Sequence, residues 1–93
     1  MASINDLLEF RAISGGDKLE WKRRSLKESH EAIVNADGTI TTSDGKKHRT
    51  PSGAAKHLNQ NKPVDGWIAW EHKKSGKRLS VLREEILTKI IIS

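Results

Sequence analysis

The stretch Arg49-Thr50-Pro51-Ser52-Gly53-Ala54-Ala55-Lys56-His57-Leu58 constrains the fold more than any other. Thr50 suits a helix N-cap, Pro51 suits the first helical position where no N–H is needed, and Ala54-Ala55 carry a helix onward without bulk. A short central helix is therefore expected. It is answered by Asp65-Gly66-Trp67-Ile68-Ala69-Trp70-Glu71, in which Asp65-Gly66 supplies a turn and residues 67–71 read as a strand heavy in indole. Two of the chain's three tryptophans lie there.

The remaining elements follow from periodicity and turn chemistry. Ser3-Ile4-Asn5-Asp6 resembles a capping box, and Ile4, Leu7, Leu8 and Ala12 at helical spacing predict a first helix over 4–14, ended by Gly15-Gly16. Residues 19–24 alternate, with Leu19 and Trp21 on one face and Glu20, Lys22 and Arg24 on the other, as in a half-buried strand. Residues 31–34, the turn 35–38 and residues 39–42 make a hairpin, Ser43-Asp44-Gly45 turns again, and residues 46–49 form a short further strand. Pro63 stops helical continuation after the loop that begins at Asn59. Ser75-Gly76 turns a basic hairpin over 72–78. Leu79, Val81, Leu82, Ile86, Leu87 and Ile90 trace a last helix over about 81–90, with Ser80 as its cap. The expected fold is α+β: a small curved antiparallel sheet with an N-terminal, a short central and a C-terminal helix, in one domain over residues 1–93.

With 93 residues the chain has room for one modest core. The absence of cysteine removes disulfides, thiolate nucleophiles and cysteine-ligated zinc, which fits a reducing compartment, so a cytoplasmic location is expected. No apolar run approaches the roughly 18 residues of a membrane span, and the first ten residues lack the pattern of a secretion signal. Seventeen Lys+Arg against twelve Asp+Glu, a formal net charge of +5, favour an anionic partner. The four histidines show no pair at helical metal spacing and no His-Glu-x-x-His, so neither metal nor cofactor is expected. The scattered carboxylates lack the Asp…Glu-x-Lys arrangement of restriction nucleases. Ser52 and His57 diverge on one helix, and the chain reads as non-catalytic.

Read in order, these segments resemble the RAMA domain, named for its association with restriction enzymes and adenine methylases. The likeness spans nearly the whole chain. It lies in the opening helix before a glycine, the hairpin from Ala32 to Thr42, the turn at Asp44-Gly45, Thr-Pro-Ser-Gly-Ala-Ala, Asp-Gly-Trp-x-x-Trp, and Ser-Gly-Lys-x-Leu followed by Leu82-Arg83. The family pattern usually has Ser-Pro-Ser and Asn-Gly-Trp. Here Thr50 still caps and Asp65 still turns, although Asp65 adds a negative charge. The resemblance implies a module that recognises modified, methylated DNA, beside or fused to restriction or methylation machinery.

Trp67 and Trp70 are the sharpest candidates, because reading a displaced base needs a flat aromatic face beside a hydrogen-bonding edge. Large aromatics in a small domain also serve as core. In an extended strand residues three apart point to opposite faces, so one indole is expected inside and the other partly exposed. Arg49, Thr50, Ser52 and Gly53 surround the central helix start, where free amides hold a phosphate; capping by Thr50 and close packing at Gly53 are the plainer roles. Lys22 and Arg24, Lys46 and Lys47, and Lys73, Lys74 and Arg78 are candidates for tracking a nucleic-acid backbone, or else form solvated faces. Burying one methyl group is worth about 0.8 kcal/mol, roughly a fourfold preference, so a selective reader needs a polar or steric element as well. The alternative is a protein-interaction or dimerisation module of a restriction complex, docking through the stripe from Leu82 to Ile92, where Ile90-Ile91-Ile92 seek cover and a second copy is one occupant.

Overall fold

A computed structural model describes residues 2–92, with side chains as far as residue 89. The Ser3 amide donates to Asp6 Oδ2 at 2.7 Å and opens α1 (Ile4–Glu9). This helix ends well before the expected residue 14. Phe10 is its C-cap, Arg11 turns left-handed at φ 59°, and the amides of Ala12 and Ile13 fold back onto the Leu7 carbonyl.

β1 (Lys18–Arg23) runs into a 3-10 turn at Arg24–Leu26 and returns antiparallel as β2 (Glu28–Val34). β3 (Ile40–Thr42) and β4 (Lys47–His48) extend the sheet on one side, while β5 (Glu71–His72) and β6 (Lys77–Arg78) extend it beyond β1. The result is an open six-stranded antiparallel sheet in the order β4-β3-β2-β1-β5-β6. The α+β class is as the sequence predicts, but β4 covers only two of the four residues expected, 46–49. Both edge strands are two residues long.

Pairing aligns Leu19 with Ala32, Ala32 with Thr42, and Val34 with Ile40, so these five share one face. α1, α2 (Pro51–Leu58) and α4 (Leu79–Ile92) press Ile4, Leu7, Ala54, Leu79, Leu82 and Ile86 onto it. Each large aliphatic side chain so buried contributes about 1.5–3 kcal/mol. The opposite face is bare, with Lys18, Lys22, Glu31 and Ile33 exposed.

The expected indole strand over 67–71 is not a strand. Residues 66–69 form a single helical turn, α3 (Gly66–Ala69), and only Glu71–His72 join the sheet. Asp65 is the reason: its Oδ1 accepts from the Trp67 amide at 3.0 Å, and its carbonyl accepts from Ile68 and Ala69. Asp65 therefore caps a helix where a turn was expected. The last helix starts at Leu79, before the expected residue 81, because the Leu79 amide donates to the Trp70 carbonyl; Ser80 lies inside it. The side chains of residues 90–92, on which docking by the isoleucine run depends, lie outside those described.

Candidate nucleic-acid interface

The start of α2 is a joint between helices. Thr50 Oγ1 accepts from the Gly53 amide at 2.9 Å, and the Thr50 carbonyl accepts from Ala54. Ser52 Oγ accepts from the Gly66 amide at 3.0 Å. A Cβ on Gly66 would overlap the Pro51 carbonyl and the Ser52 amide, so only glycine lets α3 seat this closely on α2. Thr50, Ser52 and Gly53 are thus engaged within the fold. Arg49 is exposed just ahead of them.

Trp70, the C-cap of α3, is fully buried and donates from Nε1 to the Pro51 carbonyl at 3.1 Å. Trp67 is half-buried. One indole is inside and the other partly exposed, as expected, but on a helical turn and not across a strand. The Arg83 guanidinium lies over the Trp67 ring, Cζ 4.4 Å from its centroid, a cation–π pair. Trp67 and Arg83 line an open cavity of about 530 Å³ with Ser52, Pro63, Val64 and Asp65. A ligand entering there meets an indole already faced by a cation, beside a carboxylate. Arg83 enters the sequence reading only as part of the Leu82-Arg83 motif and not as a site residue; its place over the Trp67 ring comes from the packing of α4 against α3.

A second cavity, of about 410 Å³, is lined by Lys22, Arg24, Ala69, Glu71 and Arg78. It brings together basic residues from β1, the 3-10 turn and β6, and through Ala69 it abuts the α3 turn that carries Trp67. Lys22 also stands 3.8 Å from Glu20. The other basic candidates lie elsewhere. Lys46 and Lys47 belong to the β4 edge, five strand spacings and roughly 24 Å across the sheet from β6, and Lys47 pairs with Asp37 at 3.3 Å. Lys73 and Lys74 sit in the β5–β6 turn, where Lys73 lies 3.9 Å from Glu31.

Two polar clusters brace the surroundings. His72, almost fully buried, donates from Nε2 to Asp17 Oδ2 at 2.7 Å, and its Nδ1 meets Ser75 Oγ at 2.8 Å. Burial pushes the Asp17 carboxyl up, but the hydrogen bonds from His72 and the Ser14 amide outweigh it and hold the group below 3.8. Asp44 takes hydrogen bonds from His57, at 2.6 Å, and from Thr42, which hold its carboxyl well below the usual range. His57 thus has an acidic partner in Asp44. The His48 ring lies 4.9 Å from that of His57. Desolvation, then the nearby His57, push His48 below its ordinary 6.5. Among the described residues no group of three or more acidic or histidine side chains is placed to hold a metal ion, and no helix is long and apolar enough to cross a membrane.

Fold and site together define a small α+β domain with one helix-covered and one bare sheet face, and two adjoining cavities flanking a single helical turn. The chain belongs to the RAMA family, Restriction Enzyme Adenine Methylase Associated, whose family model matches residues 1–90. The name describes a domain associated with restriction enzymes and adenine methylases. No curated protein matches the chain.

Proposed function

We propose that this domain binds DNA and reads a methylated base, serving a restriction or methylation enzyme to which it is joined or bound. The observation that carries the reading is the pairing of the two cavities: an aromatic–cationic one at Trp67 and Arg83, and next to it a basic one at Lys22, Arg24 and Arg78. The first suits an extruded base, which stacks on flat π or guanidinium surfaces; the second suits the phosphates beside it. Asp65 lines the first cavity and supplies an acceptor for an exocyclic amino N–H, which a singly methylated amino group retains. This is the polar element that apolar contact with a methyl group lacks. The family's association with adenine methylases makes N6-methyladenine the first base to try.

Titration of methylated and unmethylated duplexes, followed by tryptophan fluorescence at low and physiological salt, tests the reading. Tighter, salt-sensitive binding of the methylated duplex is expected. Equal binding to both would leave a general DNA binder. No binding at either salt would favour a protein-docking module; Leu82 and Ile86 of the stripe from Leu82 to Ile92 are buried in the core, which leaves the exposed Val81 on α4 as the place to look.

A further inference from the structure

The α3 turn aims its side chains in fixed directions. At about 100° per residue, Gly66 and Trp70 point inward together, Trp67 and Ala69 point to the two sides, and Ile68 points directly outward. Burial agrees: Gly66 and Trp70 are buried, Trp67 and Ala69 are intermediate, and Ile68 is 51% exposed. Trp67 faces one cavity and Ala69 the other, so Ile68 is the crest between the aromatic cavity and the basic one.

Two further features separate Ile68 from an ordinary exposed apolar residue. Its base is rigid, because α3 is held by the Asp65 cap, by the Gly66–Ser52 bond, by the close seat of Gly66 on Pro51 and by the buried Trp70. Its flanks carry an excess of cations, with Arg83 beside Asp65 on one side and Lys22, Arg24 and Arg78 beside Glu71 on the other. A rigidly mounted aliphatic side chain among phosphate-seeking cations has the character of a wedge entered between base steps.

We infer that Ile68 inserts into the base stack next to the nucleotide taken up at the Trp67 cavity, filling the space that nucleotide leaves and holding the strand open. The inference rests on the DNA-reading function proposed above and adds its mechanical part. The basic cavity anchors the backbone, Ile68 separates the step, and Trp67 with Arg83 receives the base.

The test uses the full chain and a duplex carrying 2-aminopurine, which brightens when unstacked, beside a methylated adenine. The unmodified protein should raise the fluorescence on binding. Ile68→Ala should bind on the order of tenfold more weakly and, at saturation, lose most of the rise; Ile68→Phe should keep both. Ile33→Ala, which removes another exposed isoleucine side chain from the bare sheet face, should change neither. Lys22→Ala with Arg24→Ala should weaken binding yet leave the rise at saturation intact. Tight binding without a rise, or a full rise from Ile68→Ala, overturns the wedge while leaving DNA binding in place. Failure of the unmodified protein to bind any duplex overturns the wedge together with the function it rests on.

Discussion

Single side chains divide the work of the aromatic pair. The buried Trp70 fastens α3 to α2 through its bond to the Pro51 carbonyl, so Trp70→Phe removes that bond and leaves space where the larger ring was packed. A loss of about 1–3 kcal/mol is expected, read as a fall in Tm of roughly 4–8 °C per kcal/mol. Trp67→Ala should cost less stability and more DNA affinity, and the reverse ranking would reassign the two indoles. Acid should act through the Asp44 cluster. His48 is held below 6.5, so its contribution is complete above that pH and is lost as pH falls through its lowered value. Asp44 and Asp37 are held below 3.8, Asp37 at about 2, through hydrogen bonds from His57 and Thr42 and from Thr39 respectively, so their contribution is present above 3.8 and lost further down. Thermal melts should therefore show stability declining first below about pH 6.5 and again below about pH 4. His48→Gln should flatten the first decline, and an unchanged profile would remove His48 from the account.

At the level of elements, the sequence was legible wherever the pattern outlasted one turn. The β1–β2–β3 meander, the capped start of α2 and the stripe of α4 all follow from alternation, caps and helical spacing. α3 was not legible, because one helical turn is too short to display a period, and Trp67-Ile68-Ala69-Trp70 carries strand-favouring residues. What decides it is Asp65, whose side chain captures an amide, and the seat on Pro51, a contact between residues far apart in sequence. The same contact makes Gly66 intolerant of any side chain. Gly66→Ala sets a methyl group against backbone that has nowhere to move and should cost about 1–3 kcal/mol or more, whereas Gly45→Ala meets open space and only the strain of its positive φ. Equal melting temperatures for the two variants would contradict this close packing. Of the candidate site residues, Trp67, Ser52 and three of the basic residues line the two cavities. Arg83, Pro63 and Val64 were not legible as site residues, since only the packing of α4 and the 59–65 loop against α3 brings them there.

Across the whole molecule, positive charge is spread over both sheet edges, and Lys22, Arg24 and Arg78 converge on one cavity beside α3. If these three hold phosphates, replacing them by alanine should flatten the dependence of log affinity on log salt by up to about 3, whereas replacing Lys46 and Lys47 at the far edge should change it little. Binding isotherms at several salt concentrations measure both slopes, and equal effects would indicate a diffuse electrostatic surface. The edges themselves carry a different consequence. β4 and β6 offer two residues each, bearing lysine or arginine, to any strand that might approach. So short and charged a margin makes a poor template for continued pairing, and the sheet ends where it does even at high local concentration. A domain of this kind can be tethered beside other folded domains, or repeated along a chain, without its strands polymerising with theirs.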